Sequence, residues 1–252
     1  MAKQAAATLD CHVISTLNGD FLSPCTLTAI DGGQGMMQAL NVMGIDIVCL
    51  GNHEFDLGFQ PLADKLNTFS GTVLNSNVLN PELTHFPRMH TFSVGERLGV
   101  MGGFSTEDLS CYRPASRPQV SSINEGCVSV WEEAKAEAGR TPHLFLPITH
   151  QLIAEDRLTC GAIAKHDELR TRTPIVLGGH EHDVYIDEAG RSLVVKTGQD
   201  AERLAVIDIW WDSQGELHSS VALVPSCVFP AHKKTQAYVD GQTALLEAKQ
   251  PQ

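Results

Sequence analysis

Side chains that can ligate metal ions follow four apolar runs of this sequence. They are Asp20 in LNGDF, Asn52 and His53 in LGNHEFD, His150 in LPITH, and His180 with His182 in LGGHEHD. A polar cluster at the rim of a core is costly unless it is hydrogen-bonded or binds a ligand. Carboxylate, amide and imidazole groups together form a metal-binding set that is too hard for a thiolate site and too rich in nitrogen for a calcium site. The sequence therefore predicts a site for a divalent transition-metal ion.

Each of these residues, taken alone, has an ordinary structural explanation. An aspartate after glycine is usually a turn or cap residue, and a histidine near a strand end is more often hydrogen-bonded than a ligand. His180 and His182 are a stronger indication, because alternate residues of an extended segment point to the same side. The coincidence of four such positions, each after an apolar run, favours one shared metal site.

The apolar runs predict strands that end at these residues. The runs are HVISTL (12–17), IDIVCL (45–50), LGVMGG (98–103), HLFLPI (143–148) and PIVLGG (174–179). Two segments between or after them have helical spacing, and their apolar residues are Met36, Met37, Leu40 and Met43, and Leu152, Ile153, Leu158 and Ile163. Strands that alternate with helices predict crossover connections and sheets covered on both faces. Ligands bind at the carboxyl edge of such sheets, where the polar groups would converge.

After residue 180 the pattern changes to closely spaced apolar runs separated by turn signals. The runs 184–187, 192–198, 203–212 and 219–225 predict successive antiparallel strands. Together the two halves predict an α/β fold in which two sheets pack face to face with helices outside. We expect a single domain over residues 1–252, with a core over 12–212 and a polar, weakly helical tail over 235–252.

The bulk composition excludes several classes of protein. The chain has 252 residues, 42% of them hydrophobic, and a formal net charge of −12. This charge argues against long nucleic acids or an anionic membrane as the main partner. Seven scattered cysteines without a CxxC motif indicate free thiols. Because the sequence shows neither a signal peptide nor an apolar run long enough to cross a membrane, it predicts a cytoplasmic protein, unless an upstream targeting segment is missing.

Four blocks of the sequence resemble the calcineurin-like metallophosphoesterase superfamily. The blocks are NGDFLSP, GNHEFD, PITHQLIAEDRL and GGHEHD, in this order. The form GNHEFD and the segment VLNSNV (73–78) resemble the branch that contains 5′-nucleotidases and 2′,3′-cyclic phosphodiesterases. The similarity extends from about Val13 to about Asp208. It implies a four-layer αββα sandwich of two mixed sheets.

The resemblance also implies a role for each site residue. Asp20 would bridge two divalent metal ions such as Zn, Mn or Fe. The remaining ligands of the second ion would be Asn52, His150 and His180, and His182 would bind the first ion. His53 would act on the leaving group as an acid or transition-state stabiliser, oriented by Asp56. The resemblance gives Glu54 a structural role, and Asp156 a role in a helix or behind the ligands.

One block of the family pattern, an Asp-x-His on a first strand, has no clear counterpart. Asp10 and His12 have the right spacing, but only seven residues separate His12 from Asp20, whereas a parallel crossover needs a dozen or more. Asp10 would also lie about 25 to 30 Å from Asp20 if residues 12–17 form the strand that leads to it. The expectation is therefore a chain that lacks the first strand, one helix and two ligands at its amino end. Such a chain would bind one ion tightly and a second weakly, and would hydrolyse phosphate esters poorly.

The resemblance implies metal-dependent hydrolysis of phosphate monoesters by a metal-bound hydroxide. Nucleoside 5′-monophosphates are the expected substrates, and a small phosphorylated molecule is the expected partner. Two alternatives stay open. One is a degenerate, non-catalytic scaffold that binds a metal or phosphate, and the other is a cyclic phosphodiesterase. The sequence does not indicate the oligomeric state.

Overall fold

Eleven β-strands and six α-helices form over residues 11–249, which are the residues that the computed structural model of the chain describes. The strands are β1 Thr16–Asn18, β2 Ile47–Cys49, β3 Thr72–Leu74, β4 Met89–Val94, β5 Arg97–Ser105, β6 Leu144–His150, β7 Ile175–Gly178, β8 Val184–Ala189, β9 Ser192–Thr197, β10 Arg203–Trp211 and β11 Leu217–Pro225. The helices are α1 Thr26–Asp31, α2 Gln34–Met43, α3 Phe59–Leu66, α4 Ile123–Ala138, α5 Ile153–Lys165 and α6 Lys233–Lys249.

The strands form two β-layers. One layer is a six-stranded mixed sheet in the order β4-β5-β6-β7-β9-β8, in which β5, β6, β7 and β9 run parallel. The other layer contains the parallel sheet β1-β2-β3 and the antiparallel ribbon β10-β11. Among the described strands, no hydrogen-bonded pairing joins the ribbon to β1. The second layer is therefore split into two parts rather than forming one continuous mixed sheet.

Alternation along the short strand β2 builds two cores at once. Ile47 and Cys49 point into the space between the two β-layers, where they pack with Leu146 and Ile148 of β6. Val48 points the other way. It belongs to a core that includes the apolar faces of α2 and α3, with Met37, Leu40, Leu62 and Leu66. This two-residue period places a sheet between helices on one side and another sheet on the other.

Helices α4 and α5 cover the outer face of the six-stranded sheet. Val100 and Phe145 pack with Trp131, which is fully buried on α4. Cys160 of α5 packs against Val176 of β7. The order of layers is thus helices, split β-layer, mixed sheet, helices, and the predicted αββα architecture is confirmed.

Several sequence predictions need correction at this level. The first strand covers only Thr16–Asn18, not residues 12–17. The segment after residue 180 forms two hairpins rather than one antiparallel run, because β9 leaves the run to pair with β7 in parallel. Strands β3 and β4 and helix α4 were not predicted as elements. The predicted helices over residues 36–43 and 152–163 are confirmed as α2 and α5.

His12, one of the two amino-terminal residues named in the sequence analysis, does not reach the predicted site. Asp10 lies outside the described residues. The His12 ring stacks on Phe92, with 5.6 Å between ring centroids. Phe92 pairs with Gly99, which pairs in turn with Leu144 at the start of β6, so His12 is level with a point six residues before His150. That is about 20 Å along the strand.

The tail is helical, as the sequence predicts. Helix α6 packs against α2, and the Tyr238 hydroxyl donates a hydrogen bond to the carbonyl of Gly35 over 2.6 Å.

Within residues 11–249, none of the helices combines the length and apolar character that a transmembrane span requires.

Candidate metal centre

The carboxyl ends of four parallel strands bring the predicted residues to one edge of the molecule. Asp20 follows β1 and Asn52 follows β2, both in the split layer. His150 is the last residue of β6 and His180 follows β7, both in the mixed sheet. The site therefore lies across the seam between the two β-layers, and each layer contributes two of the four side chains.

These four side chains are in mutual contact. Asp20 Oδ2 lies 2.9 Å from His150 Nε2, and Asn52 Oδ1 lies 3.2 Å from the same nitrogen. His180 Nδ1 lies 3.1 Å from Asn52 Oδ1. Ligand atoms of Asp20, His150 and His180 all fall within 4.8 Å of one another. The structure thus brings together four of the five residues predicted as metal ligands.

The hydrogen bond on the far side of its ring prepares His150 to be a ligand. Its Nδ1 lies 2.7 Å from the carbonyl oxygen of Asn18, which can only accept, so the neutral ring carries its proton there and presents a lone pair on Nε2. Burial alone would lower the pKa of His150, but the hydrogen bond and the charge of Asp20 outweigh it and raise the pKa above its ordinary value.

The other groups are also set as acceptors. Asn52 donates its amide hydrogen to the carbonyl of Cys111 over 3.1 Å, which directs Oδ1 toward the two imidazoles. Burial, followed by the charge of His150, lowers the pKa of His180 and favours its neutral, ligating form. Burial alone would raise the pKa of Asp20, but the hydrogen bond and charge of His150 outweigh it, so Asp20 stays ionised. Four converging acceptors fit a divalent cation with mixed nitrogen and oxygen ligands.

Glycines allow the strand ends to approach this closely. A Cβ on Gly179 would lie 2.0 Å from the carbonyl oxygen of Asn18 and 2.8 Å from His150 Nδ1. A Cβ on Gly19 would lie 2.2 Å from the same nitrogen, and one on Gly51 would lie 2.3 Å from Asp20 Oδ1. Any other residue at these positions would separate the two β-layers around the His150 ring.

Backbone conformation at the site is unusual for residues with side chains. Asp20 has φ 55° and His180 has φ 84°, in the left-handed region that favours glycine. Such conformations cost about 1 to 3 kcal/mol and are maintained where the surrounding structure dictates them. Here they turn each side chain back toward the cluster immediately after its strand.

Glu54 holds the two loops of the split layer in place. It is fully buried, and its carboxylate accepts backbone N–H groups from Asp20, Phe21 and Leu22 at 2.7 to 2.9 Å and from Gly51 at 2.6 Å. Burial and the nearby charge of Asp20 raise the pKa of Glu54 to about 7. Its contacts are all to backbone, as expected for a structural residue.

A second pair of predicted residues lies beside the cluster. His53 Nδ1 is 3.0 Å from Asp56 Oδ2, and the backbone N–H of His53 donates to Asp20 Oδ1 over 2.8 Å. The side chain of His53 is 41% exposed whereas that of Asp56 is 7% exposed. Asp56 also accepts from Arg113 Nε at 2.8 Å and from the Ser23 hydroxyl at 3.1 Å. The imidazole is therefore held by Asp56 at Nδ1, and the rest of the ring is partly open to solvent.

His182 is placed differently from the other predicted ligands. Its side chain is exposed, and it lies outside the group of ligand atoms formed by Asp20, His150 and His180.

Two further residues near the site were not recognised from the sequence. Arg113 lies in a loop that gave no signal. Lys196 is an isolated charge inside the apolar run SLVVKT, and this pattern could have indicated it.

Comparison with known proteins agrees with this fold. No family model matches the chain. Among curated proteins it is 26% identical over 187 residues to "Protein 5NUC" of Lutzomyia longipalpis, covering 69% of this chain and 28% of that protein. Among solved structures, it matches the sulfate thiohydrolase SoxB of Thermus thermophilus with a TM-score of 0.82 and 17% identity, over 100% of this chain and 46% of SoxB.

A second solved structure gives the same result. The 5′-nucleotidase precursor of Thermus thermophilus matches with a TM-score of 0.78 and 18% identity, over 97% of this chain and 52% of that one. The chain therefore has the fold of the 5′-nucleotidase branch of calcineurin-like metallophosphoesterases, and the resemblance indicated by the four sequence blocks is confirmed at this level. It spans about a quarter of the curated relative and about half of these two solved structures.

Proposed function

We propose that this chain hydrolyses phosphate monoesters with the help of divalent metal ions, and that nucleoside 5′-monophosphates are its substrates. The observation that carries the proposal is the convergence of Asp20, Asn52, His150 and His180 beside the exposed imidazole of His53. The similarity to 5′-nucleotidases supports the choice of substrate.

Each residue has a role in this proposal. Asp20, Asn52, His150 and His180 hold one ion, and Asp20 with His182 contributes to a second, weaker position. Divalent ions at such a site neutralise the charge of a phosphate ester and acidify a water molecule. His53 donates a proton to the leaving-group oxygen, and Asp56 keeps the ring oriented through its contact with Nδ1. The exposed face of His53 is the face that a small phosphorylated substrate reaches.

The test is an assay of the purified chain with Mn²⁺ or Zn²⁺ on 4-nitrophenyl phosphate, AMP and 2′,3′-cyclic AMP. Release of phosphate from AMP, abolished in N52A and H150A and greatly reduced in H53A, supports the proposal. H85A is the matched control, because His85 is an exposed histidine whose hydrogen-bond partner is Asn67 rather than a site residue. Turnover of the cyclic substrate alone would identify a phosphodiesterase instead.

The exposed position of His182 favours a second candidate function. If its imidazole stays outside the cluster, the chain holds a single ion and serves as a metal- or phosphate-binding protein without turnover. Isothermal titration calorimetry distinguishes the two candidates. One tight site, with no hydrolysis of any of the three substrates, supports the non-catalytic protein.

A further inference from the structure

A buried lysine lies directly behind the candidate metal centre. Lys196 on β9 is 1% exposed, and its ammonium group contacts oxygen atoms of four different residues. It donates to the carbonyl oxygen of Gln151 at 2.6 Å and to that of Gly179 at 2.7 Å. It also forms ion pairs with Asp156, at 2.8 Å, and with Glu181. The two carbonyl groups belong to the residues that directly follow His150 and directly precede His180.

The partners of Lys196 extend this link on the His150 side. Asp156 is completely buried and accepts hydrogen bonds from the side chains of Thr149, at 2.7 Å, and Gln151, at 2.8 Å. These residues flank His150 on either side. The side chains on both sides of this histidine are therefore bonded to one carboxylate, which is itself paired with Lys196.

The same arrangement occurs on the His180 side. Glu181, the residue after His180, pairs with Lys196 and accepts the backbone N–H of Ile153 at 2.5 Å, at the start of α5. One ammonium group thus joins the loop after β6, the loop after β7 and the first turn of α5. His150 and His180 are not in this network themselves, but the residues on either side of each histidine are.

Stability does not explain the presence of this charge. Taking a lysine out of water costs several kcal/mol, and replacing a buried ion pair with apolar residues of similar volume is often neutral or stabilising. The neighbours of Lys196 on β9 are buried valines, Val194 and Val195, so an apolar residue would suit the strand. Gly178 makes room for the lysine, because a Cβ there would lie 2.8 Å from Lys196 Cγ.

We propose that Lys196 is a positioning residue that sets the separation of His150 and His180 by holding the carbonyls of Gln151 and Gly179. The proposal rests on the metal-binding role given above to the two histidines. It gives a function to a residue that is not a ligand, and it predicts that the geometry of the site depends on a charge behind it. A purely structural lysine would affect stability but not metal affinity in the folded chain.

The experiment compares wild type with K196M, whose side chain is of similar length but uncharged. Isothermal titration with Mn²⁺ measures affinity at a temperature where circular dichroism shows both proteins to be folded. The expected result is a loss of about 10- to 100-fold in affinity, the range found when groups behind metal ligands are removed. The absorption spectrum of bound Co²⁺ is also expected to change, because it reports ligand geometry directly.

K135M is the matched control. Lys135 Nζ forms an ion pair with Glu168 Oε1 over 2.9 Å, and neither residue belongs to the candidate metal centre. Its affinity for Mn²⁺ is expected to equal that of wild type. The variant D156N/K196M leaves neither Lys196 nor Asp156 charged, and it serves where K196M alone does not fold. If Lys196 positions the histidines, the double variant is expected to be more stable than K196M, while its affinity for Mn²⁺ stays below that of wild type.

Two outcomes contradict the inference. If folded K196M, or the folded double variant, binds Mn²⁺ with wild-type affinity and gives the wild-type Co²⁺ spectrum, Lys196 does not position the histidines. If wild type itself binds no metal, the proposed function fails and the inference fails with it. The two failures are distinguishable, because only the second appears in the unmodified chain.

Discussion

The Nδ1 atom of His53 lies 3.0 Å from the carboxylate of Asp56, three residues further along the same 3-10 helix. The relationship is local, so it depends little on how the two β-layers pack. The proposed metal ligands, in contrast, come from four strand ends in two layers. Binding of a metal and protonation of a leaving group are therefore expected to respond to different substitutions.

The first prediction separates these two functions. In D56N the side chain keeps its size but loses its charge, so the contact that orients the His53 ring is weakened. We expect kcat for phosphate-ester hydrolysis to fall in D56N, and to fall further in H53A, by about 100- to 10,000-fold. Metal affinity, measured by isothermal titration, is expected to stay at the wild-type value in both. An equal loss of metal affinity would show that the pair supports the ligands instead.

The second prediction concerns the metal itself. A ligand that binds the folded chain and not the unfolded one raises the free energy of unfolding by about 2.7 kcal/mol at a concentration 100 times its Kd. We expect Mn²⁺ or Zn²⁺ to raise the thermal midpoint and chelation by EDTA to reverse this. The increase is expected to disappear in N52A and H150A, in differential scanning calorimetry. A wild-type midpoint that does not respond to either metal would argue against a site in this cluster.

The third prediction tests the close approach of backbone to His150. G179A adds a methyl group where the carbonyl oxygen of Asn18 lies only 2.0 Å away, and a backbone atom cannot rotate aside. We expect a loss of about 1 to 3 kcal/mol in the free energy of unfolding, as for overpacked sites, together with loss of metal binding. Urea denaturation measures the first and calorimetry the second.

The control for this substitution is G161A on α5, where an added Cβ meets nothing within 4 Å. Alanine favours a helix over glycine by about 1 kcal/mol, so this variant is expected to be stabilised with unchanged metal affinity. If G179A behaved like G161A, steric exclusion would not be what places glycine beside His150.

The fourth prediction concerns the carboxylate that holds two loops. In E54Q one oxygen is replaced by an NH₂ group that faces backbone N–H donors, leaving buried donors unpaired. We expect a loss of about 1 to 3 kcal/mol in the free energy of unfolding and weaker metal binding, since both loops carry proposed ligands. E125Q, at an exposed position in the first turn of α4, is the control and is expected to lie within about 0.5 kcal/mol of wild type. A wild-type denaturation curve for E54Q would contradict this role.

The fifth prediction is a pH dependence away from the site. Burial, followed by the charges of Arg140, Arg97 and Arg172, lowers the pKa of His143, and its Nδ1 accepts the N–H of Leu98 at 3.2 Å. The unfolded chain then binds a proton more readily than the folded chain, so stability falls as the pH drops through about 6.5 toward the folded pKa. H143N keeps an acceptor but does not titrate.

Urea denaturation of metal-free wild type and H143N at about pH 7.5 and about pH 5.5 checks this effect. The loss of stability at the lower pH is expected to be smaller in H143N. An equal loss in the two proteins would show that His143 remains accessible to protons in the folded chain.

Much of the site could be predicted because its residues follow strands that are apolar in sequence. Asn52 follows IDIVCL after one glycine and His180 directly follows PIVLGG, and parallel strands place such ends along one edge. The alternation argument for His180 and His182 was less informative. His180 has φ 84°, so the segment is not extended there, and two residues of alternation do not determine where the second imidazole lies.

The parts that could not be predicted depend on contacts between distant segments. β3 has three residues and β4 is a half-buried strand, so neither gives a long apolar run. Arg113 reaches Asp56 across 57 positions of the chain from an irregular loop, and nothing in its neighbours indicates this contact. Lys196 did carry a signal, since a charge inside a buried strand requires a partner, but the sequence does not say which loops supply that partner.

The division of the ligands between two β-layers gives a bound ion a mechanical role. Asp20 and Asn52 belong to one layer, and His150 and His180 belong to the other. A cation coordinated by all four would therefore cross-link the two layers. Removal of the ion would break this link at the edge of the two layers where the four side chains lie. Hydrogen exchange at the ends of β2 and β6 would then speed up together, although these strands belong to different sheets.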